Sequence, residues 1–327
     1  MEAAVMREYG GPSVLGLEQR PDPAPRTGWA TVRLQASALN WHDVLVRRGT
    51  YKSPLPHVPG ADGAGVRLDT GEPVMILPSL GWGHRQAAPG PDWQILGDFT
   101  PGTYAELVSV PEECLFPRPG GYDALQAAAF PLVGVTAYRA LFTRGRLTAG
   151  ESVLVLGAGG GLAPAAVAMG AALGASMFVT SSSEDKIQRA RTLGAVDGVL
   201  HFAPDWVEQA RTASPSGEGF DVVVDAVGRW QESLACLRPG GRLVVLGASA
   251  KTEQLVDARQ FYFGQYEIIG TTMGSPADFA SLLAFANDYR LPPPVIERSF
   301  SLSDAAEAHA WLEAGQGFGK IVLTVDA

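Results

Sequence analysis

The chain has 327 residues, enough for about two domains of ordinary size, each with a buried core. Its 25 basic and 34 acidic residues leave a net charge of -9 with no basic stripe or aromatic-interleaved Lys/Arg cluster, so no nucleic-acid partner is expected. Two cysteines, Cys114 and Cys236, lie far apart outside any ligand-spaced motif, which argues against a disulfide framework and a cysteine-based zinc site and fits a reducing cytoplasm.

Met1 to Arg7 carries Glu2 and no apolar run of the signal-peptide kind. Up to residue 35 the chain alternates apolar and polar residues, as in Ala30-Thr31-Val32-Arg33-Leu34, and is broken by Pro21, Pro23, Pro25 and Gly28. That pattern predicts short strands joined by turns. Asn40 is a candidate N-cap and Gly49 a candidate stop, predicting a helix of about two turns between them. The glycine-rich residues 57–65 lead into another strand. Residues 78–103, rich in Gly, Pro and Trp and without period, read as a long excursion of the kind that is functional or vestigial. Strand character resumes at Tyr104 to Val108, and the Pro/Gly cluster at 117–121 marks a domain boundary.

From Tyr122 helices and strands alternate. Helices are predicted over 124–130 and 134–144, then a strand at 152–156, a helix to Leu173 and a strand at 176–180. A helix follows from Ser181 to a stop at Gly194, then a strand at 196–202, a helix at 205–212, the apolar strand 220–225, a helix at 230–237 and a strand at 242–246. Apolar strands alternating with helices predict a parallel sheet covered on both faces. The fold class is therefore α/β, a Rossmann doubly wound parallel sheet plus a mostly antiparallel β domain. Val153 to Val179 contains no charged residue, but its glycine run, Pro164 and Ser176 make it a strand-helix-strand unit rather than a membrane span, so no membrane partner is expected.

Within that unit, Leu156-Gly157-Ala158-Gly159-Gly160-Gly161-Leu162-Ala163 forms a G-x-G-x-x-G-like turn with alanine in the last position. Glycines there bend the chain tightly and let backbone N–H groups approach a pyrophosphate. Glycine runs also make ordinary turns, and the surrounding strands and helices are what mark this one as a dinucleotide site. In NAD-binding chains an acid about 20 residues on accepts the ribose 2′-hydroxyl. Here the strand ends Thr180-Ser181-Ser182-Ser183, and the nearest acids, Glu184 and Asp185, belong to the next helix beside Lys186 and Arg189. NADPH is therefore favoured over NADH. Ser181 and Glu184 also fit a capping box, S-x-x-E, with no ligand involved.

Taken together, these parts resemble the medium-chain dehydrogenase/reductase superfamily, and specifically its zinc-independent quinone-oxidoreductase-like members. The matching pieces are Asn40-x-x-Asp43 with Arg48-Gly49-Thr50-Tyr51, Pro59-Gly60-Ala61-Asp62-Gly63-Ala64-Gly65, Gly102-Thr103-Tyr104-Ala105-Glu106 and Pro131-Leu132-Val133-Gly134-Val135-Thr136-Ala137-Tyr138. The glycine run, Asp221 to Gly228, Arg238 to Val244 and Gly319-Lys320-Ile321-Val322-Leu323 complete a set that spans essentially the whole chain. The resemblance implies a GroES-like catalytic domain from residues 1–120 and 267–327 and a Rossmann domain from 121–266, with the active site in the cleft between them. It places Asn40, Asp43 and Tyr51 near the nicotinamide. It also places Thr136 on the nicotinamide side, Gly159, Gly160, Gly161 and Leu162 at the pyrophosphate, and Ser181 with Lys186 at the 2′-phosphate. Val227, Gly228, Gly247, Ala248, Met273 and Gly274 fall at the nicotinamide ribose, and Lys320 reaches a phosphate or is solvated. Phe202 stands where many relatives carry a tyrosine. A homodimer or homotetramer is expected.

The departures from zinc-dependent relatives bear on the chemistry. Those relatives carry a cysteine near Asn40 and a histidine at the position of Ala61, and no cysteine lies between Pro131 and Tyr138 here. The 78–103 excursion resembles their structural-zinc loop but contains no cysteine. A catalytic zinc needs about three protein ligands, so no metal is expected, and His42, His57 and His84 read as surface or hydrogen-bonded histidines. Alkoxide chemistry commonly leans on zinc as a Lewis acid. Reduction of a carbonyl-conjugated double bond needs a hydride, donors for the enolate oxygen and a proton source. The expected substrates are quinones, enones or enoyl thioesters, with Asn40 and Tyr51 as donors. Two other readings stay open: a zinc-free alcohol or aldehyde reductase, and a non-catalytic NADPH-binding sensor or structural protein.

Overall fold

A computed structural model describes residues 1–250 and 252–325 of the chain. It divides into two compact units, the first from residues 1–133, 274–283 and 293–327, the second from 134–273 and 284–292.

The first unit is built on a seven-stranded, largely antiparallel sheet. Ile296–Ser301, Lys320–Thr324, Trp29–Ala38, Asp62–Arg67, Pro73–Ile76 and Leu115–Pro117 lie in that order, and Leu107–Pro111 also pairs with Trp29–Ala38. Alternation explains the sheet's sidedness: in Trp29–Ala38, Ala30, Val32, Leu34 and Ala36 are buried, and Val32 and Leu34 join Val108, Val110, Ile321 and Leu323 in one core. The short helix Trp41–Arg47 leaves this sheet directly after its longest strand, as the Asn40 and Gly49 signals predict.

The 78–103 excursion is folded. Ser79–Leu80 pairs with Gln94–Ile95, Trp82 meets Trp93 edge to face at 6.0 Å between ring centroids, and Trp93 Nε1 donates to Ser79 Oγ at 2.8 Å. Glycine is required where this lobe meets Pro59-Gly60: a Cβ on Gly102 would lie 2.2 Å from the Gly60 carbonyl oxygen, and one on Gly97, at φ +91°, 2.8 Å from it.

The second unit carries a six-stranded parallel sheet in the order Ala195–Leu200, Ser176–Ser181, Ser152–Val155, Phe220–Asp225, Leu237–Val245, Glu267–Gly270. In chain order that is 3-2-1-4-5-6, the doubly wound arrangement with its crevice at the first strand. Between the first two strands runs Leu162–Leu173, stopped by Gly174 at φ +93°. Its Gly170 lies so close to the next strand that a Cβ there would sit 2.1 Å from Met177 Sδ.

Two boundaries differ from expectation. The strand at Glu267–Gly270 belongs to the parallel sheet, because Leu243 and Val244 pair with Ile268 and Ile269, so the chain returns to the first unit at Gly274 rather than at Glu267. The first unit also runs on through the helix Ala124–Ala129 to Val133, beyond the Pro/Gly cluster at 117–121, since that helix packs on strands of the first sheet. Among the described residues no helix is long and apolar enough to cross a membrane.

Candidate functional site

In the second unit the glycine turn is held from behind by the neighbouring strand. Gly157 N–H donates to Thr180 Oγ1 at 3.1 Å and Ala158 N–H to the Thr180 carbonyl at 2.7 Å. Gly157 adopts φ +87°, which puts glycine at the bend. Gly160 is exposed, and a Cβ there would meet nothing within 4 Å. Gly161 begins the helix with no side-chain cap, and the first turn carries no acid. Unsatisfied N–H groups and the positive helix end are thus left for an anion, which is the fit a pyrophosphate needs. Thr180, which holds the turn, escapes pattern reading because a buried strand threonine has no distinguishing spacing.

Ser181 is buried, and its hydroxyl accepts the Ser183 N–H at 3.1 Å. The S-x-x-E box does not form: Ser183 is the N-cap of Glu184–Thr192, and Glu184 accepts from Gln188 instead. Lys186 is half-buried on the first turn of that helix. The bend at Val227 and Gly228 is organised by a buried acid. Asp225 accepts the Val227 and Gly228 N–H groups on one oxygen, both at 2.7 Å, and Arg229 N–H with Ser233 Oγ on the other. Gly247 lies against this turn, where a Cβ would come within 2.3 Å of the Ala226 carbonyl oxygen, and Ala248 beside it is exposed. Thr136 and Met273 are brought together, with Thr136 Oγ1 3.8 Å from Met273 Sδ; Met273 takes φ +39° just before Gly274 opens the return to the first unit. Phe202 is two-thirds exposed after the third strand.

In the first unit, Asn40, Asp43, Asp62 and Lys320 form one buried cluster. Lys320 donates to Asn40 Oδ1 at 2.6 Å and to Asp62 Oδ2 at 3.1 Å. The Asn40 amide donates to Asp62 Oδ2 at 3.0 Å and to the Ala38 carbonyl at 3.3 Å. Asp62 Oδ1 accepts the Leu132 N–H at 2.8 Å. Lys320 is thus neither solvated nor directed to a phosphate: its ammonium is spent inside the unit. The Asn40 amide has both hydrogens and its oxygen committed to protein groups. Asp43 lies one layer deeper and accepts the Asn40 N–H at 2.7 Å and the Tyr104 hydroxyl at 3.3 Å, with His309 Nε2 3.0 Å from that hydroxyl. Burial pushes the Asp43 carboxyl up to about 6 against the opposing pull of His42, the Asn40 N–H and Lys320. It raises Asp62 too, opposed first by Lys320, and it pushes His309 down to about 3, so that this imidazole is neutral.

Tyr51 is nearly half exposed in the loop after the helix. That loop is pinned from below by Tyr9, whose hydroxyl donates to the Ser53 carbonyl at 2.6 Å and accepts the Ser53 N–H at 2.9 Å. The Tyr51 ring stacks on His42 at 5.1 Å between centroids and 26° between planes, and His42 Nε2 lies 2.6 Å from Asp98 Oδ1. His57 Nε2 donates to the Gly97 carbonyl at 2.7 Å, and burial holds its pKa below the ordinary value. No group of three or more His, Cys, Asp or Glu arranged to hold a metal is found among the described residues.

A doubly wound sheet with an open glycine turn, joined in sequence to an antiparallel unit with a buried Asp/Lys cluster, defines a pyridine-nucleotide-dependent oxidoreductase. Comparison with known proteins agrees. Residues 26–120 match the alcohol dehydrogenase GroES-like domain family and residues 161–288 the zinc-binding dehydrogenase family. The chain is 31% identical to a quinone oxidoreductase of Rattus norvegicus, over 99% of this chain and 97% of that protein. It is 30% identical to a chloroplastic NADPH-dependent alkenal/one oxidoreductase of Arabidopsis thaliana, over 99% and 79%. Among solved structures, an NAD-dependent alcohol dehydrogenase superposes with a TM-score of 0.94 at 37% identity, with all of both chains covered. The chain belongs to the medium-chain dehydrogenase/reductase superfamily as a quinone-oxidoreductase-like member.

Proposed function

We propose that the protein is an NADPH-dependent reductase that transfers hydride, without zinc, to a quinone or to a carbon–carbon double bond conjugated to a carbonyl. The observation that carries this reading is the Lys320 ammonium on Asn40 and Asp62. The resemblance puts a metal-binding cysteine near Asn40 and a histidine where Ala61 stands, and a fixed ammonium on Asn40 and Asp62 repels a divalent cation there. The names of the rat and Arabidopsis relatives support the substrate classes. When bound, NADPH supplies the hydride. The chain's own part is to hold its phosphates at the Gly157–Gly161 turn and its 2′-phosphate at Ser181 and Lys186, and to polarise the substrate carbonyl through Tyr51. Asn40 and Asp43 hold the helix that precedes Tyr51 in place. Thr136, Val227, Gly228, Gly247, Ala248, Met273 and Gly274 line the nicotinamide ribose in this reading, and a homodimer or homotetramer is its expected assembly.

The alcohol or aldehyde reductase reading is favoured by one observation, the 37% identity and full-length superposition with the NAD-dependent alcohol dehydrogenase. A single assay separates the two. NADPH oxidation is followed in EDTA with quinones, enones and enoyl-CoA esters, alongside NADP+ or NAD+ reduction with primary and secondary alcohols. Turnover of a quinone or enone, unchanged by EDTA, is the expected result. Background rates there with turnover of alcohols alone select the second reading.

A further inference from the structure

The helix that follows Asn40 carries a histidine with no part in the reading so far. We infer that His42, held by Asp98, is the acid that delivers a proton to the α-carbon when a carbonyl-conjugated double bond is reduced; the inference rests on the reductase reading above.

The geometry is that of a carboxylate–imidazole pair. Both side chains are mostly shielded, 14% exposed for His42 and 16% for Asp98, and the Nε2 to Oδ1 distance is 2.6 Å. A carboxylate only accepts, so Nε2 carries the shared hydrogen and the ring is fixed in orientation. Nδ1 has no hydrogen-bond partner among the described residues and is the atom left to exchange a proton. The imidazole face lies on the Tyr51 ring, the exposed phenol assigned to the substrate carbonyl. Asn40 and Asp43, three residues apart in the same segment, are turned inward and committed, whereas His42 and Tyr51 each keep an uncommitted polar atom.

Asp98 comes from the 78–103 lobe, and its neighbour Gly97 is fixed both by the Gly60 backbone and by His57. An ion pair near the surface contributes about 0–1 kcal/mol to stability, too little to account for so closely specified a placement. A carboxylate that orients an acid gains its effect in the transition state instead.

The step balances. The hydride's electron pair forms the new C–H bond at the β-carbon as the π bond breaks, and the displaced pair moves through the α-carbon to leave an enolate oxygen at the Tyr51 hydroxyl. The α-carbon then takes the Nδ1 proton of the doubly protonated His42 ring as the carbonyl re-forms, which leaves the ring neutral with its hydrogen on Nε2. A solvent hydronium then returns the Nδ1 proton. A quinone collects its charge on oxygen, which water protonates, so quinone reduction does not depend on this acid.

The test uses the full-length protein, NADPH and an α-methyl cyclohexenone in deuterium oxide, with a quinone as the parallel substrate. The native enzyme is expected to place deuterium on one face of the α-carbon and give one enantiomer. His42→Asn and Asp98→Asn are expected to give a mixture at that carbon, with kcat for the enone lowered on the order of 10²–10⁴-fold for His42→Asn. The NADPH Kd is expected to stay within about twofold of native in both variants, since the substitutions leave the Gly157–Gly161 turn untouched. In NADPH-free protein, His42→Asn is also expected to slow exchange of the α-proton of α-methyl cyclohexanone with solvent. A single enantiomer from His42→Asn at native kcat, or equal exchange rates in the two proteins, overturns the inference. Native turnover of quinones without enones overturns it and leaves the reductase reading standing; turnover of neither overturns both.

Discussion

Asp43 is a carboxyl group buried without a cation of its own, and its titration writes itself into the stability of the first unit. Its pKa rises from 3.8 in the unfolded chain to about 6 in the fold, with burial as the chief cause. Below 3.8 it is protonated in both states. Between 3.8 and about 6 the unfolded chain ionises while the folded one keeps its proton, so stability falls as pH rises; above that interval the loss is complete, on the order of 3 kcal/mol. Asp43→Asn cannot ionise and keeps an oxygen for the Asn40 N–H and the Tyr104 hydroxyl. Urea titrations at pH 4, 5, 6 and 7 are expected to show the variant gaining on native protein by about that amount across the interval. Parallel curves would place the raised pKa elsewhere, on Asp62. Asn40 and Asp43 stand out in the sequence by their spacing, but their partners do not. Lys320 and Asp62 are 258 residues apart, and His42 and Asp98 are 56 apart, so no local pattern announces that each pair is one unit of charge.

The lobe at 78–103 holds its shape without a single cysteine. Trp82 is buried, packs edge to face on Trp93 and donates to the Arg85 carbonyl at 2.9 Å. Aromatic packing and the glycine contacts at residue 60 give this stretch its order. Trp82→Ala removes the largest fully buried side chain among the described residues, at a cost of about 3–5 kcal/mol, and much of that cost falls on a segment with a two-stranded sheet of its own. Limited proteolysis is therefore expected to cut the variant inside 78–103 before any other site, while the native lobe resists; an unchanged cleavage pattern would mean that Trp93 and the glycine contacts suffice alone. The absence of cysteines is plain in the sequence. That the stretch is folded is not, because its order comes from two tryptophans 11 positions apart and from glycine contacts with residue 60. The parallel strands are legible for the opposite reason. Val153 to Val155, Met177 to Val179 and Val222 to Val224 are continuous buried runs, the mark of strands covered on both faces. The strand at Glu267–Gly270 has only Ile268 and Ile269 to offer, and at the sheet edge it reads as readily into either unit.

At the scale of the whole molecule, a chain with net charge -9 is asked to hold a polyanion, and the second unit must do so with local fields. The uncapped N–H groups of Leu162–Leu173 supply one such field, and at a pyrophosphate they would serve NADH and NADPH alike. In the proposed reading, discrimination falls to the end of the second strand, where Ser181 stands in place of an acid beside a helix that carries Lys186 and Arg189. The 2′-phosphate adds charge of roughly -1.5 to -2 near neutral pH, as phosphate monoesters do. Because a ligand that binds only the folded state stabilises it by mass action, NADPH at about 100 times its Kd adds about 2.7 kcal/mol, which a melting scan reads as a higher Tm. NADPH is expected to raise the Tm more than NADH at equal concentration, and salt is expected to erode the difference because the extra contacts are ionic. Ser181→Asp puts a carboxylate where the 2′-phosphate belongs, so the variant is expected to lose most of the NADPH shift and to keep or gain the NADH shift. The same measurement decides against the assignment if the two nucleotides shift native protein equally, or if Ser181→Asp lowers both shifts together; the preference for NADPH then has no source at this strand end, and the glycine turn alone defines the cofactor.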